Sequence, residues 1–155
     1  MRIGFGYDIH RLVAGRELIL GGIKIDYHKG LIGHSDGDVL IHSIIDSILG
    51  AFSLGDIGMH FPENDPKYSG ISSVYLLSET IKKIPGRIIN IDSTVIAQEP
   101  KLSPYINDIK KNIAGIIGIG ESFISIKAKT NEGVGLIGEK KAIACYSVSL
   151  CNKEI

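Results

Sequence analysis

An alternation in the first ten residues constrains the fold more than any other feature of the chain. Isoleucine and aromatic side chains occupy the odd positions from 3 to 9, while Gly4, Gly6, Asp8 and His10 occupy the even positions. Because successive side chains of a strand point to opposite faces, the pattern predicts a β-strand with one apolar face and one face that carries two polar groups. The two glycines predict open space beside Asp8 and His10.

Helical and strand patterns alternate along the rest of the chain. The predicted elements are a hairpin at 17–25, helices at 38–49, 73–84 and 104–118, and strands at 87–98, 122–129 and 141–152. Ser72 or Ser73 is expected to cap the second helix and Ser103 the third, with loops at 55–70 and 133–138. This order predicts an α+β fold, a mixed β-sheet covered by helices on one face.

Composition and charge exclude several kinds of partner. Lys plus Arg and Asp plus Glu both total 17, so the chain has no basic surplus of the kind that binds nucleic acid. We find no membrane-spanning segment and no secretory signal after Met1, which makes a cytoplasmic location the expectation. Cys145 and Cys151 lie six residues apart in one predicted strand, too far apart to form a disulfide with each other.

Three residues form a candidate metal site. Asp8 and His10 leave the same face of the first strand, and His42 lies on the first helix. Two imidazoles and one carboxylate suit zinc, with a fourth position open for substrate. Asp46, one helical turn after His42, is expected to orient that histidine. A surface Asp-x-His pair with an unrelated histidine at the helix edge is the alternative that spacing alone leaves open.

A candidate phosphate pocket precedes the first helix. Residues 34–38 read His-Ser-Asp-Gly-Asp and run directly into the helix N-terminus. Free backbone N–H groups at a helix start favour an anion, and His34 and Ser35 add side-chain donors. A plain capping loop, closed by Asp36 or Asp38, is the alternative, and it leaves His34 unexplained.

Three other segments carry polar groups in positions where ligands often bind. Residues 97–102 connect a strand to a helix, and residues 61–66 form a dense loop with carboxylates. Residues 127–132 end a strand with two lysines, Thr130 and Glu132, a group able to hold a diphosphate and a hydrated Mg²⁺. The ordinary alternatives are a connector for residues 97–102, a turn for residues 61–66 and a solvated strand end for residues 127–132.

In their order, these segments closely resemble the 2-C-methyl-D-erythritol 2,4-cyclodiphosphate synthase family of the non-mevalonate isoprenoid pathway. The matching motifs are Gly6-Tyr7-Asp8-Ile9-His10, residues 34–42, Gly55-Asp56-Ile57-Gly58, Phe61-Pro62 with Asp65-Pro66, residues 97–102 and Lys129-Thr130-Asn131-Glu132. The resemblance covers essentially the full length. It therefore implies a lyase whose single catalytic domain spans residues 1–155.

The resemblance implies an intramolecular phosphoryl transfer. The 2-phosphate of 4-diphosphocytidyl-2-C-methyl-D-erythritol 2-phosphate attacks the β-phosphorus, closing a cyclic diphosphate and releasing CMP. A phosphate monoester is already anionic near neutral pH, so the reaction needs no covalent nucleophile and no strong protein base. The resemblance also implies Zn²⁺, a second ion that is Mg²⁺ or Mn²⁺, and a homotrimer whose sheets face the central axis, with active sites between neighbouring subunits.

The resemblance further implies a role for each matching residue. The implied metal ligands are Asp8, His10 and His42 for zinc and Glu132 for magnesium or manganese. The implied catalytic residues are His34 and Thr130. The implied substrate-binding residues are Ser35, Asp56, Gly58, Phe61, Asp65, Ala97, Pro100, Lys101, Leu102, Lys129 and Lys140.

The chain departs from the family pattern at several positions, among them Lys141-Ala142 in place of the usual glutamate-glycine and Lys129 in place of a frequent threonine. Glu139 stands where the family usually has a phosphate-contacting arginine, and Tyr146 replaces a glutamate that lines a cavity on the trimer axis. We expect catalysis to survive, with Lys140 or Lys129 supplying charge, and feedback by isoprenyl diphosphates to be absent.

Two other functions fit parts of the pattern. A metal-dependent phosphohydrolase would use open zinc to activate water. A non-catalytic nucleotide-binding subunit would bind a cytidine nucleotide without turnover, although it has no evident need for an open metal site.

Overall fold

The structure, a computed structural model, describes residues 1–153. Its strands within these residues are β1 (Arg2–Ala14), β2 (Leu18–Leu20), β3 (Ile23–Ile25), β4 (Lys29–Leu31), β5 (Gly86–Ile96), β6 (Ile124–Lys129) and β7 (Ala142–Lys153). Its helices are α1 (Val39–Ala51), α2 (Ile57–His60), α3 (Ser73–Lys83), α4 (Ile106–Ile117) and α5 (Gly135–Gly138). Single 3₁₀ turns lie at Pro66–Tyr68 and Glu121–Phe123.

Five strands form one mixed sheet in the order β4-β1-β7-β5-β6, and β2 pairs with β3 in a separate hairpin. The β5–β6 pair is parallel and the other neighbours are antiparallel. At the centre, the first and last strands pair from Arg2 opposite Cys151 to Arg11 opposite Ala142. The predicted α+β fold with a mixed sheet is confirmed.

The two faces of the sheet differ in what covers them. The apolar side chains of α1, α3 and α4 pack with one face to form the buried core. On the opposite face the odd residues of β1 remain exposed, with Ile3 at 72% and Phe5 at 61% of their full accessible area. This confirms both the alternation along β1 and the covering by helices on one face. No helix among residues 1–153 is long and apolar enough to cross a membrane.

Most element boundaries agree with the predictions, and the exceptions have local causes. Asp38 caps α1, Ser72 caps α3, and Gly118 ends α4 in a left-handed conformation. The prediction that Ser103 caps α4 is wrong. The N–H of Tyr105 donates to the carbonyl of Leu102, which closes a turn, and the helix begins only at Ile106.

The loops contain more structure than predicted. Residues 55–70 contain α2 and a 3₁₀ turn, residues 133–138 contain α5, and β4 was not predicted at all. Each of these elements is only three or four residues long, which is too short for periodicity to detect. Cys145 and Cys151 are both buried and free, as expected.

The prediction that Gly4 and Gly6 leave open space is wrong, because the backbone of α1 fills it. A Cβ atom on Gly4 would lie 1.7 Å from the carbonyl oxygen of Ser47, and one on Gly6 would lie 1.9 Å from that of Ser43. The hydroxyl of Ser43 is also 2.7 Å from that of Ser147 on β7. The glycines therefore bring α1 into direct contact with the sheet. This contact places His42, the residue before Ser43, close to β1.

Candidate functional site

Three potential metal ligands meet where α1 crosses β1. Asp8 Oδ2 lies 2.9 Å from His10 Nε2 and 3.0 Å from His42 Nδ1, and those two nitrogens are 3.3 Å apart. One ligand atom from each residue lies within 4.8 Å of the others, close enough to hold one ion. The strand supplies two ligands and the helix one, so the close contact at Gly6 is what brings them together. Two imidazoles and a carboxylate fit a divalent transition metal.

Mutual hydrogen bonds and charges shift the pKa values of Asp8 and His10 in opposite directions. Burial alone would raise the pKa of Asp8, but hydrogen bonds with His10 and His42 lower it well below its usual range. Burial would lower the pKa of His10, yet the hydrogen bond to Asp8 and its negative charge raise it overall. Asp8 therefore stays a carboxylate at neutral pH, and its charge favours the protonated form of His10, with which a metal ion must compete.

His42 Nε2, the ring nitrogen that faces away from Asp8, contacts two serines and not the predicted partner Asp46. His42 Nε2 lies 2.9 Å from Ser73 Oγ and 3.0 Å from Ser35 Oγ. The expectation that Asp46 orients His42 is wrong: Asp46 Oδ1 accepts a hydrogen bond from Ile57 N at 2.8 Å, and none joins it to His42 within residues 1–153. Sequence reasoning missed the role of Ser73 because that residue is 31 positions from His42 and looked like a helix cap.

The start of α1 is closed by its own cap. The carboxylate of Asp38 accepts hydrogen bonds from Gly21 N, Gly22 N and Ile41 N at 2.7–3.1 Å, and the residue is fully buried. Burial, the largest effect, raises the pKa of Asp38 to about 6. The capping alternative is therefore correct for Asp38, which takes up the N–H of Ile41. The binding of an anion by the other N–H groups at this helix start stays a prediction.

A pocket beside the metal ligands contains the predicted phosphate donors. Its lining residues are Asp8, His10, His34, Ser35, His42, Asp46, Ile57, Gly58, Phe61, Glu63, Tyr68 and Leu76. His34 Nε2 is buried and has no hydrogen-bond partner within residues 1–153. Because a buried polar atom is nearly always paired, this nitrogen indicates a contact with a bound ligand. Such a contact accounts for His34, which the capping alternative left unexplained.

The predicted ribose and loop residues lie in or next to this pocket. Gly58 and Phe61 line it. Asp56 caps α2 by accepting a hydrogen bond from Met59 N at 2.9 Å, and Asp65 accepts one from Lys67 N at 3.0 Å. Both carboxylates therefore shape the loop that forms one wall of the pocket.

Six of the remaining predicted residues, but not Glu132 or Lys140, line a different pocket at the ends of β5 and β6. This second pocket is formed by Ala97, Gln98, Glu99, Pro100, Lys101, Leu102, Ser103, Ala128, Lys129 and Thr130. Next to it, Thr130 Oγ1 donates to Glu132 Oε1 at 2.7 Å. Within one chain, the predicted site residues are thus divided between a metal-bearing pocket and a second pocket that contains the 97–102 loop.

The charges around Glu139 are largely paired with one another. Lys140 Nζ lies 2.6 Å from Glu99 Oε1, beside the second pocket, and Lys141 Nζ lies 2.6 Å from Glu139 Oε2. Both pairs are exposed to solvent, where water and salt screen the attraction, so they contribute little to stability. Lys140 is next to the predicted substrate-binding loop, and its contact with substrate stays a prediction.

Comparison with known proteins places the chain among a large group of relatives. It matches the YgbB family over residues 1–152. It is 56% identical to 2-C-methyl-D-erythritol 2,4-cyclodiphosphate synthase from Clostridium novyi (strain NT), covering 99% of this chain and 100% of that protein. It is 57% identical to the protein of the same name from Clostridium acetobutylicum, covering 97% and 99%. The solved structure of IspF from Plasmodium falciparum in complex with CDP is similar, with a TM-score of 0.86, 44% identity and coverage of 99% and 97%.

Proposed function

The chain belongs to the YgbB family, and we propose that it catalyses the 2-C-methyl-D-erythritol 2,4-cyclodiphosphate synthase reaction of isoprenoid synthesis. In this lyase reaction the 2-phosphate of 4-diphosphocytidyl-2-C-methyl-D-erythritol 2-phosphate closes on the β-phosphorus and CMP leaves. Residues 1–155 act as one catalytic domain. The observation that supports this best is the cluster of Asp8, His10 and His42 beside the unpaired His34, since it joins metal ligands to a phosphate donor in one pocket.

We propose Zn²⁺ as the ion that Asp8, His10 and His42 hold. Bound there, it supplies positive charge that orients and polarises a phosphate. His34 and Ser35 line the same pocket and donate hydrogen bonds to the phosphate oxygens. This arrangement serves a reaction in which two repelling phosphates must be held in line, because positioning and charge compensation then supply most of the rate.

We propose that the nucleotide part of the substrate binds in the second pocket. Ala97, Pro100, Lys101 and Leu102 contact the cytosine, largely through their backbone, and Lys129 and Thr130 contact the diphosphate. Asp56 and Gly58 contact the ribose at the edge of the metal-bearing pocket. Glu132, next to Thr130, holds the second ion, Mg²⁺ or Mn²⁺, whose preference for carboxylate oxygen fits this position. The CDP in the Plasmodium falciparum structure supports a cytidine nucleotide as the ligand.

We propose a homotrimer in which neighbouring subunits complete each active site. The metal-bearing pocket has a volume of about 140 Å³, whereas pockets that enclose a whole drug-sized ligand measure about 300–1,000 Å³. The pocket therefore accommodates only part of a nucleotide-linked substrate. A second pocket from an adjacent copy supplies the rest.

The bare face of the sheet supports the same assembly. Ile3, Phe5, Tyr7 and Ile9 on β1 form an exposed apolar stripe, and Tyr146 on β7 lies against it with its ring 4.8 Å from that of Tyr7. Monomers rarely expose contiguous apolar patches of this kind. In the proposed trimer these faces meet at the central axis and exclude water.

Introducing charge on this face is expected to dissociate the trimer. Phe5→Glu places one carboxylate per subunit on the shared axis, where like charges repel and cannot be solvated. Light scattering should give about three times the 16.7 kDa chain mass for the unmodified protein and one chain mass for Phe5→Glu. Lys111→Glu, on the exposed side of α4, is the matched control and should remain trimeric. A trimeric Phe5→Glu protein would contradict the proposed interface.

Zinc affinity is expected to depend on pH through His10. Because the pKa of His10 is raised and that of Asp8 is lowered, binding displaces a proton from the histidine and none from the carboxylate. The apparent dissociation constant should rise by at least about tenfold for each pH unit below the His10 pKa. Calorimetry in buffers of different ionisation enthalpy measures the released proton. His28→Ala should follow the same curve, and a pH-independent affinity would contradict the expectation.

Incubation with the diphosphocytidyl substrate in Zn²⁺ and Mg²⁺ tests the function directly. The proposal expects CMP and the cyclic diphosphate in equal amounts. An opened diphosphate with inorganic phosphate would instead indicate a metal-dependent phosphohydrolase. Binding of cytidine nucleotide by metal-loaded protein without any CMP release would indicate a non-catalytic binding subunit.

A further inference from the structure

We infer that Asp36 and Ser73 are positioning residues for the metal ligand His42, and that together they also set the direction in which Ser35 donates its hydroxyl proton. The inference rests on the metal site proposed above. It concerns a chain of groups behind the imidazole, on the side away from Asp8 and His10, of which Ser35 and Ser73 are buried and Asp36 is partly buried.

The chain starts from the carboxylate of Asp36, which receives both donors of Ser73. Asp36 Oδ2 accepts from Ser73 N at 2.9 Å, and Asp36 Oδ1 accepts from Ser73 Oγ through a short contact. A hydroxyl has one proton, and an ionised carboxylate can only accept. The proton of Ser73 is therefore committed to Asp36, and Ser73 Oγ can act only as an acceptor toward any other neighbour.

That commitment favours a hydrogen on Nε2 of His42. Ser73 Oγ lies 2.9 Å from His42 Nε2, and Ser73 is fully buried. Since Ser73 can only accept at this contact, the hydrogen bond forms when Nε2 carries the hydrogen. The opposite ring nitrogen, Nδ1, faces Asp8 Oδ2 at 3.0 Å and is the atom available to a metal ion. With an ion at Nδ1, Nε2 keeps its hydrogen and Ser73 Oγ accepts it, which is the usual task of the partner behind a metal-bound histidine.

The same count of hydrogen-bond donors and acceptors directs the hydroxyl proton of Ser35 toward the pocket. Ser35 Oγ lies 3.0 Å from the protonated His42 Nε2 and 3.4 Å from Gly37 N, so both neighbours are donors to it. Within residues 1–153 its one hydroxyl neighbour that can accept is Ser73 Oγ, at a long 3.4 Å. Ser35 lines the metal-bearing pocket. Its proton is therefore free to donate to a phosphate oxygen bound there.

A direct test is the tautomer of His42 in the metal-free protein. Long-range ¹H–¹⁵N NMR at alkaline pH, where imidazoles are neutral, distinguishes the Nε2–H from the Nδ1–H form. Asp8 Oδ2 accepts at Nδ1 and Ser73 Oγ accepts at Nε2, so we expect both forms in the unmodified protein and a smaller share of the Nε2–H form in Asp36→Asn. The same share of the Nε2–H form in the unmodified protein and in Asp36→Asn would overturn the inference.

Substitution tests the same chain through zinc affinity, measured by competition with a chelator. Asp36→Asn replaces an acceptor with an NH₂ donor, so Ser73 Oγ accepts from it and turns its own proton toward His42 Nε2. We expect the Nδ1–H tautomer to gain and zinc to bind about 10–100-fold more weakly, the usual effect of losing such a partner. Ser73→Ala, which leaves Ser35 as an acceptor for Nε2, should weaken zinc binding less than Asp36→Asn.

Ser78→Ala is the matched control, because Ser78 lies on the same helix and its hydroxyl donates only to its own helix, at Tyr75 O. Its zinc affinity should stay within about twofold of the unmodified protein. Unmodified affinity and an unchanged tautomer in both Asp36→Asn and Ser73→Ala would overturn the inference while leaving the metal site intact. Failure of the unmodified protein to bind zinc would instead refute the proposed metal site and this inference with it.

Discussion

Replacing His42 with alanine is expected to lower turnover by about 10³-fold or more while the protein remains folded. His42 supplies one of three ligands to the metal site, and the charge of a bound metal is worth several kcal/mol to a phosphoryl transfer. Each 1.36 kcal/mol corresponds to a factor of ten in rate. The change also leaves Ser35 and Ser73 without their imidazole partner, so we expect a loss of stability of about 1–3 kcal/mol. That loss is smaller than the total stability of a typical domain.

His28→Ala provides the matched comparison, because His28 is exposed and lies outside both pockets. Both variants should keep the circular dichroism of the unmodified protein, but only His42→Ala should lose CMP release and zinc binding. Turnover by His42→Ala within tenfold of the unmodified rate would remove His42 from the metal site. An unfolded His42→Ala protein would show that His42 contributes more to stability than its contacts with the two serines account for.

Replacing Gly6 with alanine is expected to be among the most destabilising single changes in the chain. The new Cβ would lie 1.9 Å from Ser43 O and 2.7 Å from Ser47 N. Both are backbone atoms of α1, so no side chain can turn aside, and the helix must move by more than about 1 Å to restore ordinary contact. Overpacking of this kind costs about 3 kcal/mol or more. The movement also carries His42 away from Asp8, so zinc affinity should fall in whatever fraction of the protein folds.

Urea unfolding measures the effect, and Gly115→Ala is its control. Gly115 lies within α4, and a Cβ atom added there would meet no neighbouring atom within 4 Å, so alanine enters open space. Because glycine is less favourable than alanine inside a helix, Gly115→Ala should raise the free energy of unfolding by about 0.5–1 kcal/mol. A Gly6→Ala protein as stable as the unmodified one would mean that α1 does not rest on β1.

Local periodicity was enough to predict the framework of the site. Alternation along β1 places Asp8 and His10 on one face regardless of what packs there, and the amphipathic pattern of residues 38–49 predicts a helix that carries His42. Both placements agree with the structure because each depends on side-chain direction within one element, which backbone geometry fixes. Ligand chemistry predicts a metal for these residues, and that stays a prediction.

The contacts between elements could not be predicted in the same way. From the sequence alone, Gly6 predicts empty space, because the position of the helix that fills it is not known. Asp46 is predicted as the partner of His42 because it lies one helical turn away. Ser73 fulfils that role from another helix, 31 residues along the chain. Asp38 similarly binds the 21–22 turn as well as its own helix. Such pairings depend on tertiary packing, which leaves no periodic trace in the sequence.

The pairing of the first and last strands has a consequence for the order of events during synthesis. All three proposed metal ligands lie within the first 42 residues, yet β1 between Arg2 and Arg11 has β7 as its hydrogen-bonded partner. Contacts between such distant segments form slowly, because a long loop must close before they yield any stabilisation. A growing chain therefore contains these three residues for most of its elongation before the strand that anchors two of them is available. The proposed metal centre, although specified early in the chain, is completed only when the sheet closes.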